Sequence, residues 1–158
     1  MTNIEIEMLN GDIIKAELYP DVAPRTVENF ERLIKGNFFD GLIFHRVIKG
    51  FMIQGGGYDA AGNHIDAATI RGEFAANGIE NNLKHTRGVL SMARTMIKDS
   101  ASSQFFIMHQ DAPHLDGQYA AFGKVTEGME VVDKIAGCKT DSSDAPIEKQ
   151  IIKTIRFA

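Results

Sequence analysis

The segment from Phe44 to Gly56 contains the side chains of this sequence that are best suited to chemistry. It places one arginine, Arg46, in an otherwise apolar run that is typical of a β-strand. A strand interior rarely keeps a guanidinium unless something binds its fixed fork of N–H donors. Arg46, Met52 and Gln54 share even parity, so two stretches of strand can present them on one face. The pattern predicts a site built from one cation, apolar side chains and an amide.

Other common catalytic arrangements are not supported by the sequence. No His-Glu-x-x-His or Cys-x-x-Cys spacing occurs, and His109 and His114, which share one loop, have no acidic or thiol partner positioned with them. The glycines 55–57 lack the Lys-Ser/Thr ending of a phosphate-binding loop. Ser102 and Ser103 lack the flanking glycines of a hydrolase nucleophile. We therefore predict no metal, no cofactor and no covalent intermediate.

Apolar, aromatic and amide side chains in other segments are candidates for the same site. Taken singly, Phe106 or Met52 is more often a core residue than a ligand contact, and a strand arginine is often a structural ion-pair partner. Their combination with Arg46 is harder to explain by packing alone. The additional candidates are Gln104, Phe105, Phe106, His114, Leu115 and Tyr119.

The first elements follow from hydrophobic alternation and turn residues. Strands are predicted over 4–8 and 14–18, joined by Asn10-Gly11 as a two-residue hairpin turn. Pro24 opens a helical pattern that ends at Gly36. A second helix carries Met129, Val132 and Ile135 and ends at Gly137. The remaining strands are predicted over about 42–48, 51–54, 89–93, 104–108, 119–125 and 150–157.

Many short strands with only two helices argue for an all-β barrel or sandwich. A strand at each end of the chain favours closure into a barrel, because closure removes exposed edges. The triple glycine 55–57 is predicted to bend the chain at a barrel corner. Residues 58–88 are irregular, and a loop of that length usually carries function. With no linker or repeat, a single domain over 1–158 is expected.

Composition narrows the partners and the compartment. The formal net charge of −4 argues against bulk binding to nucleic acid or to an anionic membrane. The one cysteine, Cys138, cannot form an internal disulfide, which fits a reducing compartment. The first residues alternate between polar and apolar types without a signal-peptide core, and no stretch has the length of a membrane span. We expect a soluble, cytoplasmic protein.

Further motifs occur in chain order along the whole sequence. Thr26-Val27-Glu28-Asn29-Phe30 lies in the first predicted helix and precedes the Phe44–Gly56 segment. The later motifs are Leu90-Ser91-Met92-Ala93, Ser103-Gln104-Phe105-Phe106-Ile107, Leu115-Asp116-Gly117 and Phe122-Gly123-Lys124-Val125. Together they resemble the cyclophilin family of peptidyl-prolyl cis–trans isomerases from end to end. The resemblance implies a closed eight-stranded antiparallel β-barrel capped by two helices, with the substrate groove on its outer face.

The resemblance also implies roles for single residues, with Arg46 as the catalytic residue. Four apolar side chains are implied to form the pocket for the proline ring, with Tyr119 at its rim: Phe51, Met52, Phe106 and Leu115. Two amides are implied to bind the substrate backbone or to position Arg46: Gln54 and Gln104. The adjoining groove is implied to be lined by Ala93 and Arg94. No cofactor is needed.

Several positions depart from the family pattern. His114 replaces a tryptophan that helps the best-known members bind the inhibitor cyclosporin, so we expect weakened cyclosporin binding with isomerase activity retained. Tyr119 replaces a histidine of the proline pocket and offers a similar flat wall. Arg94-Thr95 replaces the common Asn-Ala. If Arg94 projects into the groove, it favours acidic residues near the substrate proline; if it points to solvent, it is neutral.

Two functional hypotheses follow. The first is an isomerase that assists the folding of proline-containing chains, and it is favoured because binding alone does not require Arg46. The alternative is a module that binds exposed proline loops and whose turnover is not its biological role. In both cases the expected partners are proline-containing peptides and unfolded or folded protein clients, and the expected state is a monomer.

Overall fold

The computed structural model describes residues 1–158. The strands are β1 (Thr2–Met8), β2 (Ile13–Leu18), β3 (Leu42–Ile48), β4 (Met52–Asp59), β5 (Val89–Met92), β6 (Phe105–Met108), β7 (Ala121–Glu127) and β8 (Ile152–Phe157). The helices are α1 (Pro24–Lys35) and α2 (Met129–Ala136). Every predicted strand and helix is present, with shifted ends in several cases.

The eight strands form one antiparallel sheet in the order β3-β4-β6-β5-β7-β2-β1-β8. The first and last strands of this order, β3 and β8, approach each other. Ile43 in β3 forms a bridge with Ile151, and the N–H of Phe44 donates to the carbonyl of Gln150 at 3.0 Å. The sheet is therefore a nearly closed barrel, which leaves little unpaired edge. This confirms the predicted mainly-β fold class and decides between the barrel and the sandwich.

Helix α1 begins and ends where the sequence predicts. Pro24 occupies the first turn, where the missing N–H of proline leaves no intrahelical bond unmade. The N–H of Gly36 donates to the carbonyl of Arg32 at 3.2 Å and ends the helix. Its buried stripe includes Val27 and Phe30, which belong to the barrel core. Neither α1 nor α2 combines the length and the apolar character needed to cross a membrane.

The N-terminus of α1 is capped by a carboxylate from the irregular segment 58–88. Glu73 is almost wholly buried and accepts hydrogen bonds from the N–H and the Oγ1 of Thr26 at 2.6 and 2.7 Å. A carboxylate is stabilised there by the unpaired N–H groups and the positive end of the helix. Asn81 donates to the carbonyls of Glu73 and Ala121, so this segment is also anchored to β7. Phe74, the next residue, is held buried.

Strand β6 is buried on both faces because apolar clusters lie on both sides of the sheet. Phe105 and Ile107 point into the barrel core, and Phe106 and Met108 belong to a smaller cluster on the outer face. We call this smaller group the outer cluster; it comprises Met52, Val89, Phe106, Met108, Ala112, Leu115 and Ala121. The outer cluster gives the candidate site an apolar base.

The turn between β1 and β2 differs from the predicted two-residue hairpin. The N–H of Met8 donates to the carbonyl of Asp12 at 2.8 Å, so the loop contains the three residues 9–11. A type I′ turn requires positive φ at both Asn10 and Gly11, but of these two only Gly11 has it, with φ of 95°. The prediction of a hairpin is right and the predicted loop length is wrong.

The triple glycine lies inside β4, although the sequence placed the end of this strand at Gln54. The pairing of β3 with β4 shifts its register near Phe44, which agrees with the predicted bend. Close packing excludes a side chain here: a Cβ on Gly55 would lie 2.7 Å from the carbonyl oxygen of Ile43, and one on Gly56 2.9 Å from that of Ser103. The glycines thus allow β4 to pass close to its neighbours.

Candidate active site

The strand register places four side chains in one row on the outer face of the barrel. Arg46 pairs with Gln54, Gln54 with Phe106, and Phe106 with Ser91, across β3, β4, β6 and β5. Directly opposed residues of antiparallel strands share a face. Met52 lies two residues before Gln54 and therefore on the same face. The structure thus brings together the three side chains whose parity predicted a common face.

A groove of about 400 Å³ lies over this row. Its floor is formed by the apolar side chains of Met52, Phe106 and Leu115, which are almost wholly buried, with exposed fractions of only 2%, 5% and 8%. The Tyr119 ring stands edge-on to the Phe106 ring, with centroids 5.7 Å apart. The lining residues are Arg46, Phe51, Met52, Gln54, Ala93, Arg94, Phe106, His114, Leu115 and Tyr119. Of the site candidates named from the sequence, all but Gln104 and Phe105 line this one groove, and Phe105 points instead into the barrel core.

Gln104 lines an adjoining cavity of about 290 Å³, which shares Gln54, Ala93 and Arg94 with the groove. The Nε2 of Gln54 donates to the Oε1 of Gln104 at 2.9 Å. This hydrogen bond fixes the Gln54 amide beside Arg46 and leaves its own oxygen available to accept a hydrogen bond. The arrangement suits Gln104 to position its neighbour.

The Arg46 guanidinium is exposed in the groove and has no hydrogen-bond or ion-pair partner among residues 1–158. The alternative interpretation of Arg46 as a structural ion-pair partner is therefore wrong. Its N–H donors are available to a ligand that lies on the apolar floor, where a low local dielectric strengthens hydrogen bonds. The groove can hold an apolar ring and donate hydrogen bonds to an acceptor atom beside that ring.

Arg94 lines the groove, which is the first of the two orientations considered from the sequence, and its guanidinium is held by contacts that the sequence did not reveal. Its guanidinium carbon lies over the rings of Phe74 and Tyr119, at 4.7 and 4.8 Å from their centroids. It donates to the carbonyl of Gln118 through Nε and Nη2, at 3.1 and 2.7 Å, and to the carbonyl of Thr95 through Nη1 at 2.9 Å. The side chain is fixed at the boundary between the groove and the adjoining cavity.

His114 and Phe51 form a further part of the groove wall. The exposed His114 ring stacks on the Phe51 ring with centroids 5.9 Å apart and planes at 28°. His114 follows Pro113 in a short 3₁₀ turn that ends at the buried Leu115. Adjacent residues of this turn therefore contribute to two parts of the groove: His114 to its wall and Leu115 to its floor.

A buried serine–histidine–aspartate arrangement lies behind the groove and escaped the sequence analysis. His85 Nδ1 lies 3.0 Å from Asp116 Oδ1, and His85 Nε2 lies 2.8 Å from Ser91 Oγ. Burial is the main cause that lowers the pKa of His85, against the raising effect of Asp116. The neutral ring with its proton on Nδ1 donates to Asp116 and accepts from Ser91. No local spacing in the sequence signals this arrangement, because His85 and Asp116 are 31 positions apart.

The arrangement supports the groove floor and is not positioned for hydrolysis. Ser91 is 0% exposed and His85 is 1% exposed, so a substrate carbonyl cannot reach the hydroxyl. The His85 ring lies nearly parallel to the Phe106 ring, at 20° and 6.1 Å between centroids. Asp116 directly follows Leu115. The network therefore holds two floor residues in place.

His109 has an acidic partner, contrary to the interpretation from its sequence neighbours. Its Nε2 lies 3.1 Å from Oδ1 of Asp133 on α2, and Arg87 also binds this carboxylate through two N–H groups at 2.7 Å. The Nδ1 of His109 accepts the N–H of Gly50 at 2.8 Å. Asp133 lies on a later helix, so sequence proximity does not reveal it. The network ties the turn that precedes Phe51 to α2.

His45, next to the arginine in the sequence, sits in an unusual electrostatic setting. Its Nδ1 is buried without a hydrogen-bond partner, and its ring packs on Tyr58 with centroids 4.6 Å apart. Burial, and then the charges of Arg46 and His64, lower the pKa of His45 to about 4. The ring is therefore neutral at physiological pH and adds no second charge beside Arg46.

The depressed pKa of His45 predicts a loss of stability in mild acid. The unfolded chain takes up this proton near pH 6.5 and the folded chain only near pH 4, so stability falls as pH drops through that window. We expect His45→Phe to remove about 1–3 kcal/mol of this fall, because phenylalanine keeps the contact with Tyr58 and does not titrate. Urea unfolding across the window measures it. An identical pH dependence in both proteins contradicts the assignment.

The sequence resembles known proteins along almost its whole length. Residues 2–157 match the family model described as cyclophilin-type peptidyl-prolyl cis-trans isomerase/CLD. The chain is 46% identical over 164 residues to a peptidyl-prolyl cis-trans isomerase of Acinetobacter baylyi, a match covering 98% of this chain and 85% of that protein. It is 48% identical over 121 residues to peptidyl-prolyl cis-trans isomerase B of Bacillus subtilis, covering 77% of this chain and 81% of that protein.

Solved structures give the same assignment. A Cryptosporidium parvum cyclophilin-type peptidyl-prolyl cis-trans isomerase, crystallised in the presence of the dipeptide Ala-Pro, superposes with a TM-score of 0.84 and 32% identity. That match covers 99% of this chain and 98% of the other. A cyclophilin from Hirschia baltica gives a TM-score of 0.79 at 25% identity, covering 98% of this chain and 73% of the other. The barrel is thus shared along its whole length.

Proposed function

The chain belongs to the family of cyclophilin-type peptidyl-prolyl cis-trans isomerases and is an isomerase of X–Pro peptide bonds, and we propose that Arg46 supplies the catalysis. The observation that carries this role is the unpaired Arg46 guanidinium in a groove with an apolar floor. In this proposal the floor residues Met52, Phe106 and Leu115 hold the proline ring. Gln54, fixed by Gln104, accepts a backbone N–H of the substrate.

The chemistry requires only that the twisted peptide bond be bound more tightly than the planar one. Resonance in the C–N bond gives a rotation barrier of about 18–20 kcal/mol. At the twisted geometry this resonance is lost, and the proline nitrogen gains a lone pair. A hydrogen bond from Arg46 to that nitrogen stabilises the twisted state selectively, which is differential binding. The reaction forms and breaks no covalent bond, so no nucleophile takes part.

The apolar floor contributes in two ways. It excludes water from one side of the proline ring, and burial of that ring supplies binding energy without holding the peptide bond planar. It also lowers the local dielectric, so the field of the Arg46 guanidinium acts more strongly on the developing lone pair. The C. parvum relative was crystallised in the presence of the dipeptide Ala-Pro, which supports the proposal that short proline-containing peptides bind in the groove.

Two-dimensional exchange NMR on an Ala-Pro peptide tests the proposed function. At catalytic amounts of protein we expect cross-peaks between the cis and trans forms, which the uncatalysed reaction, taking about tens to hundreds of seconds, does not produce. Absence of catalysed exchange would defeat the enzyme assignment and favour the alternative of a proline-loop binding module. Unfolded protein chains whose refolding waits on a proline bond are the proposed physiological clients.

The replacement of tryptophan by His114 leads to a proposal about inhibitor binding. We expect this protein to bind cyclosporin more weakly than members that carry the indole, because His114 offers a smaller apolar face beside Phe51. His114→Trp is expected to tighten cyclosporin binding by about 3- to 10-fold, measured by calorimetry. Equal affinity of the wild type and the variant for cyclosporin would contradict this expectation.

We further propose that the protein acts as a cytoplasmic monomer. The single thiol, Cys138, is half-buried, and burial raises its pKa, which suits a protein that depends on no disulfide. Sedimentation equilibrium tests the monomer, which has a mass of 17.4 kDa. A concentration-independent mass of twice that value would contradict it.

A further inference from the structure

The Arg94 guanidinium is a positive charge that is held in place at the edge of the proline site. We call the contacts that hold it the Arg94 clamp; they are made by Phe74, Tyr119, Gln118 and Thr95. The guanidinium packs over the rings of Phe74 and Tyr119, and three of its N–H groups are donated to the carbonyls of Gln118 and Thr95. Neutral carbonyls accept these bonds, so the charge is not cancelled by a carboxylate. The remaining N–H groups are available to a ligand. Unlike most surface arginines, Arg94 loses little side-chain entropy when it binds one.

The groove is electropositive although the chain carries a net charge of −4. Arg46 and Arg94 line it, and no aspartate or glutamate does. Among the residues lining the two cavities the only carboxylate is Asp66, in the adjoining cavity, where it lies 3.3 Å from His64. A carboxylate on a bound peptide is therefore attracted by two arginines, whereas an ammonium group is repelled by the same two charges.

The position of Arg94 determines which part of the substrate it contacts. It lies at the boundary of the groove and the adjoining cavity, which share Gln54, Ala93 and Arg94. A proline ring on the apolar floor leaves this boundary to a residue next to the proline. On the basis of the proposed function, we propose that Arg94 makes this isomerase selective for peptides with an acidic side chain adjacent to the isomerised proline.

Matched peptides test the selectivity. Two peptide series carry glutamate, glutamine or lysine, one series just before and the other just after the proline, and kcat/KM is measured by exchange NMR for each peptide. We expect kcat/KM for glutamate to exceed that for lysine by about threefold or more in at least one series at low salt. Arg94→Gln is expected to bring this ratio close to one, and high salt to reduce it in the wild type. Arg94→Lys, which keeps the charge, is expected to retain most of the ratio.

A distant charge provides the control. Lys35 is exposed at the end of α1 and lines neither cavity, so Lys35→Gln changes the net charge equally and is expected to leave the ratio unchanged. An unchanged ratio in Arg94→Gln, an equal loss in Lys35→Gln, or an equal loss in Arg94→Lys overturns the proposal. The glutamine peptide separates the proposed selectivity from the proposed isomerase function. Failure of the wild type to isomerise this neutral peptide contradicts the proposed function itself.

Discussion

Arg46→Ala is expected to lower kcat/KM for an Ala-Pro peptide by about 100- to 1,000-fold, as loss of one preorganised donor to a transition state does in other enzymes. Arg46 is exposed and unpaired, so its removal leaves no buried group unsatisfied. The free energy of unfolding is therefore expected to change by less than about 0.5 kcal/mol. A protease-coupled assay on the folded variant measures the rate, and urea unfolding measures the stability.

Arg46→Lys is the matched control for this prediction. Lysine keeps the positive charge but replaces the planar fork with a single ammonium group. If the directed hydrogen bond to the proline nitrogen matters, we expect this variant to lose at least about tenfold in kcat/KM. Full activity in Arg46→Lys would show that charge alone is sufficient. Full activity in Arg46→Ala would remove Arg46 from the mechanism.

Phe106→Ala is expected to have the largest combined effect on stability and binding. Phe106 is 5% exposed, stacks on His85 and meets Tyr119 edge-on, so its removal opens a cavity in the outer cluster. Loss of a buried phenylalanine side chain costs about 3–5 kcal/mol of stability. The same change removes part of the groove floor, so affinity for a proline peptide is expected to fall about tenfold, or 1.4 kcal/mol.

Phe122→Ala separates the two effects of Phe106→Ala. Phe122 is fully buried in the barrel core and does not line the groove. Its removal is expected to cost a similar amount of stability, about 3–5 kcal/mol, while peptide affinity of the folded protein stays unchanged. An equal loss of affinity in both variants would mean that the groove floor has no specific role.

Local patterns were sufficient to predict most of the barrel. Alternating apolar residues located the strands, and Pro24 and Gly36 bounded α1, because period and end residues are set by the backbone geometry of each element. The even parity of Arg46 and Gln54 agrees with their direct pairing across β3 and β4. The hairpin length at Gly11 was wrong because Asn-Gly permits a two-residue turn but does not enforce it.

Contacts between distant segments could not be predicted from local pattern. The Arg94 clamp requires Phe74 and Gln118, and the His85 network requires Asp116 and Ser91. Each contact depends on how the loops over the outer cluster fold back, which is decided by tertiary packing. The sequence offered two orientations for Arg94, and neither included packing of the guanidinium over two aromatic rings. The selectivity inferred for the groove depends on this unpredicted contact.

Exchange NMR on the bound peptide tests the central claim most directly, because it separates the on-protein isomerisation rate from the dissociation constant. For Arg46→Ala, we predict an isomerisation rate at least about 100-fold below that of the wild type, with the dissociation constant of the Ala-Pro peptide changed by less than about threefold. That result would show that Arg46 stabilises the transition state and contributes little to binding of the planar peptide. An unchanged bound-state rate with weakened binding would contradict the account.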